Sequence, residues 1–397
     1  GYAGGYCSAS CAAAACPSGS TCVDTGQNSI CMRDCSSRAD CRFVEAYDCL
    51  DRGAPTAVCS MITSPIGRRA DGSACYTTTP GPNELAPLPR TTFAATNLSA
   101  SAERTDTDRQ AEGNLAINPL TGAVAVPYIA AIPGSTDTFI GISHFLPPST
   151  AVLEDGRVAG LGLTQANDPA VVYTADGILH LVFMGFSVDA RGLPQDLHIL
   201  TADSADDGAS WSAVRQVEPA GACAALWCDK PWIAVGPRPG VPAEQSLYVT
   251  YMAAASDFEQ WVFVQRSDDA GLSWSIPRSF GATEFTPSTP NHAMPAVAAD
   301  GTLHLVWLQV YAGADGPAGR WGDVRHEVRY VVSSDGGWTF SSIARVSRAT
   351  DAVTTQSPAI AVEGATVHVA YVVGGFDGAW DVILATSADG GASFSYR

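Results

Sequence analysis

From about residue 91 the chain alternates apolar runs of strand length with turn residues. ILHLVFMGF (178–186), SLYVTYMA (246–253), TLHLVWLQV (302–310) and TVHVAYVV (366–373) are rich in β-branched and aromatic side chains and are bounded by Gly, Pro and Asp. Runs of that length and composition predict β-strands, and no stretch keeps a helical period. The runs also repeat. Each follows a shorter apolar run led by a proline, at Pro169, Pro231, Pro295 and Pro358, which lie 62, 64 and 63 residues apart. A third run comes next (DLHILTAD, WVFVQRSD, EVRYVVSS, DVILATSA), and in three units a fourth (SAVRQVE, SIPRSF, SSIARVS). A weaker copy without the proline, GNLAINPLTGAVAVPYIA, occupies 113–130. Four-stranded units at a fixed period predict the blades of a β-propeller.

Between its third and fourth strands each unit carries one octapeptide. The copies are SADDGASW (204–211), SDDAGLSW (267–274), SSDGGWTF (333–340) and SADGGASF (387–394). Their shared positions are Ser204, Asp206, Gly208 and Trp211; Ser267, Asp269, Gly271 and Trp274; Ser333, Asp335, Gly337 and Phe340; and Ser387, Asp389, Gly391 and Phe394. An Asp here can accept N–H bonds from its own turn. The Gly suits a left-handed backbone, and the aromatic can pack between sheets. One or two carboxylates per copy are too few for a calcium loop, so a structural turn is favoured. The octapeptide resembles the Asp-box, or BNR repeat, of the sialidase (neuraminidase) superfamily, over residues 91–397. That resemblance implies a propeller with the boxes at the turns between outer strands, on the far side from the active site.

Five blades are expected, at about 111–165, 166–220, 228–283, 289–348 and 354–397. The last stops at SFSYR with no room for its fourth strand, so TTFAATNLSAS (91–101) is expected to supply it. Sialidases have six blades, and six remain open if the chain shown is shorter than the native one. The expected fold is all-β: an Asp-box propeller of four-stranded blades over 91–397, after a disulfide-rich module (1–78) and a proline-rich linker (79–90).

Cysteine usage sets the module apart. Cys7, Cys11, Cys16, Cys22, Cys31, Cys35, Cys41, Cys49, Cys59 and Cys75 crowd the N-terminal end, and Cys223 and Cys228 stand alone. An even count without a CxxC pair predicts disulfides made in an oxidising compartment rather than zinc. Their pairing is not readable. So small and polar a segment needs covalent staples. Its CPSGSTC and DC patterns resemble the short Cys-rich modules of secreted bacterial surface proteins. The predicted location is secreted or at the cell surface.

The formal net charge of −18 argues against nucleic acid and anionic membranes and is compatible with cations. No apolar run reaches a membrane span, so no insertion is expected. Family sialidases bind a carboxylate through three arginines, the first in an R-I-P motif, and use an Asp acid/base and a Tyr nucleophile paired with Glu. Here AVPYIAA has no Arg, and the one IPR is Ile276-Pro277-Arg278, on an outer strand. Asp106 and Asp108 read as turn residues, and Tyr396 falls on an outer strand. The repeats offer a different site. Polar residues precede each innermost strand, where a propeller gathers them at the channel mouth: Glu112, Asn114, Asn167, Asp168, Asp229, Lys230, Asn291, His292, Gln356 and Ser357. Trp227, between Cys223 and Cys228, is a candidate sugar platform. The expected function is a non-catalytic, extracellular binding or self-assembling propeller. Its ligand is expected to be a glycan or a cation such as Ca2+, with homo-oligomers possible. The alternative is an exo-acting glycoside hydrolase with a rearranged site.

Overall fold

A computed structural model of the 397-residue chain describes residues 16, 20–24, 29–34, 47–50, 58–61, 110–111, 114–131, 137–146, 152–158, 165–189, 194–256, 259–281, 288–312, 324–374 and 380–397. In the N-terminal module two hairpins are seen. β1 (Ser20–Asp24) pairs with β2 (Ser29–Arg33), and β3 (Tyr47–Leu50) with β4 (Val58–Met61). A disulfide joins Cys16 to Cys31.

The remainder is a β-propeller of five blades, each an antiparallel sheet whose strand order follows the chain from the second blade on. Blade 1 holds β5 (Gln110–Ala111), β6 (Ala116–Ile117), β7 (Val124–Ala131), β8 (Thr138–Phe145) and β9 (Val152–Arg157). Both β5 and β6 pair with β7, so its innermost strand is interrupted. Blade 2 holds β10 (Gln165–Tyr173), β11 (Leu179–Val188), β12 (Pro194–Ser204) and β13 (Arg215–Gln216). The short helix α1 (Ala222–Ala225) leads to blade 3, with β14 (Trp227–Arg238), β15 (Val241–Ser256), β16 (Glu259–Ser267) and β17 (Arg278–Gly281). Blade 4 holds β18 (Ser288–Val297), β19 (Leu303–Ala312), β20 (Val324–Ser333) and β21 (Ala344–Arg345). Blade 5 holds β22 (Ala359–Glu363), β23 (Thr366–Gly374), β24 (Trp380–Ser387) and β25 (Ser395–Tyr396).

β25 corrects one expectation. Blade 5 does have its fourth strand, and SFSYR makes it: Ser395 and Tyr396 pair with Thr386 and Ala385, and Arg397 N donates to Leu384 O at 2.9 Å. Only two paired residues are needed, as in β13 and β21. Residues 91–101 lie outside the described residues.

The strand runs are apolar throughout because both faces are covered. In β19, Leu303, Leu305 and Trp307 pack on Tyr248, Val262 and Val264 of blade 3. The alternate residues Val306 and Leu308 pack on Val367, Val369 and Tyr371 of blade 5. Similar cores join blades 1 and 2 through Ile140, Leu181 and Phe183, and blades 2 and 3 through Val182, Ile199, Val249 and Tyr251. Blade 5 differs. Ile199, Val262 and Val328 sit five residues before their boxes and are 0% exposed, whereas Val382, at the same place, is 68% exposed. Trp380 on the same strand is 66% exposed. Among the described residues, no core cluster covers this last face.

All four octapeptides share one hydrogen-bond pattern. In blade 3, Ser267 Oγ donates to Asp269 Oδ1 at 2.8 Å, and Gly271 N donates to Ser267 Oγ at 2.8 Å. Ser273 N donates to Asp269 Oδ1 at 2.9 Å and its hydroxyl to Oδ2 at 2.5 Å. The same bonds recur around Asp206, Asp335 and Asp389. Both carboxylate oxygens are engaged within the turn. The turns also tie neighbouring blades together: Arg215 Nε donates to Gly271 O at 3.0 Å, Tyr330 Oη to Gly390 O at 2.9 Å, and Asn118 Nδ2 of blade 1 to Asp207 Oδ1 at 2.8 Å.

Candidate functional site

The innermost strands of blades 2, 3 and 4 each break register at one place. The pairing skips from Asn167 to Ala170, from Asp229 to Trp232, and from Asn291 to Met294. In each case two residues face one on the partner strand, which is a β-bulge. The first bulged residue is left-handed without being glycine: Asp168 at φ 51, Lys230 at φ 50, His292 at φ 52. Asp and His visit this region more readily than Lys. The conformation costs an L-residue roughly 1–2 kcal/mol. Three such residues at one level of the ring are an observed outlier of the kind that marks a functional site. A bulge turns a side chain that would otherwise lie along the sheet. Here it turns three of them into a common cavity.

That cavity, of about 380 Å³, is lined by Asp168, Lys230, His292, Gln356 and Ser357, with Trp232, Met294, Thr355 and the bulge residues Pro169, Pro231 and Ala293. Ala293, not Pro295, is the fourth blade's counterpart of Pro169 and Pro231. The apparent repeat of 64 residues at Pro295 is a proline displaced by two, and the bulges themselves recur every 62 residues.

Inside, the Lys230 Nζ donates to Asp168 Oδ1 at 2.8 Å, joining blade 3 to blade 2. The Asp168 side chain is 8% exposed and that of Lys230 30%. A carboxylate so desolvated needs its counter-charge, and this is the chain's only lysine. Asp168 Oδ2 has no hydrogen-bond partner among the described residues.

Other predicted residues are placed elsewhere. Asp229 Oδ1 accepts from the Lys230 amide, and Asn291 Oδ1 from the His292 amide, each at 2.8 Å. These two side chains hold their own bulges and do not line the cavity. Asn167 Oδ1 accepts from Thr138 Oγ1 of blade 1 at 2.8 Å, and Asn114 clamps both backbone groups of Val171 at 2.9 Å. Glu112, Asp106 and Asp108 lie outside the described residues. Trp227 is 45% exposed at the start of β14 but does not line the cavity; Trp232, five residues on, does. Trp232, Met294 and Thr355 were not expected. The first two directly follow the bulges, and a bulge leaves no compositional mark by which to find them. The Cys223–Cys228 disulfide, both sulfurs buried, pins the loop leading to Lys230.

Among the described residues, no arginine lines the cavity. Arg278 opens β17, an outermost strand, 5.7 Å over the Trp338 ring, and the Tyr396 hydroxyl donates to Val346 O at 2.9 Å. Among the described residues no three His, Cys, Asp or Glu side chains gather as a metal site.

No protein-family profile matches the sequence, and no curated protein is similar to it. Solved structures do resemble it in shape. A protein of unknown function from Dyadobacter fermentans DSM 18053 superposes with a TM-score of 0.50 at 12% identity, over 71% of this chain and 80% of that one. A Hadza microbial sialidase gives 0.48 at 18% identity, over 71% of this chain and 57% of its own length. An α-L-arabinofuranosidase of Fusarium graminearum gives 0.43 at 13%, over 69% and 89%. At such identities the likeness concerns fold alone, and the fold this chain shares with the Dyadobacter protein is the β-propeller.

Proposed function

We propose that this is an extracellular binding propeller that takes a small polar ligand, of the carbohydrate class, at its channel mouth, and that it does not hydrolyse it. One observation carries the reading. Three consecutive blades hold left-handed, non-glycine residues at matching bulges, and all three side chains line one cavity. A cavity of about 380 Å³ falls in the range of ligand sites, about 300–1,000 Å³, and mixes apolar walls with a few polar groups. Glycoside hydrolysis by the common route needs two carboxyl groups flanking the bond. Among the described lining residues there is one, Asp168, and it is already paired to Lys230. The disulfides support an oxidising location. The cation reading is weaker, since the one carboxylate among the described lining residues is ion-paired with Lys230 and the Asp-box oxygens are engaged within their turns.

The test is a glycan array on the full chain, followed by calorimetry on the hits, alongside a panel of aryl glycosides. Binding is expected, with no turnover. Asp168→Ala removes a buried polar partner and should weaken binding about 10- to 100-fold. Turnover abolished by the same substitution would make this a hydrolase instead.

A further inference from the structure

We infer that a second copy of this chain packs face to face on the open side of blade 5, forming a weak two-fold dimer. β23 shows the contrast within one strand. Val367, Val369, Tyr371 and Val373 are buried against blade 4, while the alternate Ala370 and Val372 are only half-buried. The register puts Ala359 of β22 and Trp380, Val382 and Leu384 of β24 on that same outer face. Of these, Ala359, Trp380 and Val382 are exposed. In the other blades the equivalent surface is packed on a neighbouring sheet. The open face therefore continues the blade-to-blade interface, with nothing among the described residues to complete it. So contiguous an apolar patch marks a protein contact.

Charge favours a second copy at this place over any other. The chain carries a formal net charge of −18, so two copies repel one another over most of their surface. Among the described residues, one acidic side chain shares the outer face by register, Glu363 at the β22–β23 turn. The polar pair on the face is already joined: His368 Nδ1 and Thr386 Oγ1 hydrogen-bond at 3.1 Å. Two copies can meet here without setting rows of carboxylates together.

The second copy offers the same face. At the other end of the series, blade 1 has its outward Tyr128, Ala130 and Phe139 no more than 5% exposed. Blade 5 thus meets blade 5, and such an isologous contact closes at two. The shapes agree. Leu384 and Ala359 both pair with Ala370, so they sit at one level on either side of it. A two-fold axis along β23 sets the leucine of each copy against the alanine of the other, large on small as interdigitated cores require. At about 3.3 Å per residue and about 4.8 Å between strands, the eight residues of β24 and the four strands of the blade span roughly 500 Å². Two copies then bury on the order of 1,000 Å², the least that a specific interface needs, which makes the dimer weak.

The experiment is sedimentation velocity on the full chain, from low micromolar to near-millimolar concentration, with thermal melts at the low end. A reversible monomer–dimer equilibrium is expected, with a dissociation constant on the order of 10–100 µM. Sodium chloride should tighten it by screening the shared negative charge. Val382→Asp sets a carboxylate on the face of each copy and should weaken the dimer at least tenfold without lowering the melting temperature of the monomer. Trp380→Ser should do the same, and serves if Val382→Asp fails to fold. A dimer unchanged in both variants lies elsewhere and overturns the inference. So do oligomers that keep growing with concentration, which mark a head-to-tail contact, and a dimer that salt dissociates, which ion pairs would hold. A chain monomeric throughout overturns it as well, and a lower melting temperature of Val382→Asp would then show the face covered by the chain itself.

Discussion

At the scale of single residues, the four Asp-boxes are closed hydrogen-bond circuits, and their carboxylates report it. Burial raises the Asp335 pKa, but hydrogen bonds from Thr339, Ser333 and the Trp338 amide outweigh it and hold the group at about 2. Hydrogen bonds from Ser387 and Ser393 hold Asp389 at about 2 as well. Asp206 and Asp269 are lowered by the same kind of bonds, against a larger opposing effect of burial in Asp269. An Asp in an unfolded chain titrates near 3.9. Between that value and 2 the unfolded chain therefore binds protons that the folded one does not, so stability falls with pH across this window. Thermal midpoints measured from pH 5 to pH 2 should hold steady to about pH 4 and then drop. Asp335→Asn should be less stable than the parent at pH 5 but lose less on acidification. Parallel curves for the two proteins would show that the box carboxylates are not coupled to folding.

At the scale of elements, the decisive features are the bulges and the faces of the strands. Each β-strand run was readable because two covered faces make it apolar from end to end. The bulges were not. Asn-Asp-Pro, Asp-Lys-Pro and Asn-His-Ala share little besides position, and what unites them is a left-handed first bulge residue. The same two-faced packing predicts an asymmetry in blade 5. Val328→Ala, in the covered core between blades 4 and 5, removes two buried methyl groups and should cost about 2 kcal/mol. Val382→Ala, at the equivalent but 68% exposed position, should stay within about 0.5 kcal/mol. Chemical denaturation of the two variants checks this. Equal losses would mean that the outer face of blade 5 is covered in solution.

At the scale of the molecule, consecutive cores link blade 1 to blade 5 without a break, so the propeller should unfold as one unit. Its one disulfide among the described residues, Cys223–Cys228, closes a short loop and joins no two blades. The N-terminal module, by contrast, packs ten of the twelve cysteines before residue 76. Mild reductant should therefore release residues 1–78 to proteolysis while the propeller keeps a single cooperative melt, followed by circular dichroism. Loss of both together would tie propeller stability to the module.

The sequence alone was enough to determine the kind of architecture, an all-β propeller of four-stranded units, while leaving five or six blades open. A period of roughly 62 residues, four apolar runs per period and one octapeptide between the third and fourth runs are local facts, and local facts decide strands and turns. It also named Asp168, Lys230, His292 and Gln356 as aligned, because a repeat carries alignment in its numbering. It could not tell Asp168 from Asp229, which differ by one register position across a bulge. The first lines the cavity, while the second accepts from a backbone amide. Nor could it show that the fourth strand of blade 5 needs only two paired residues. Only the tertiary structure decided which side chains enter the cavity, that Lys230 reaches across to Asp168, and that Trp232 rather than Trp227 forms the wall. Those outcomes depend on backbone handedness and on contacts between blades 62 residues apart, and neither is encoded in the character of a single residue.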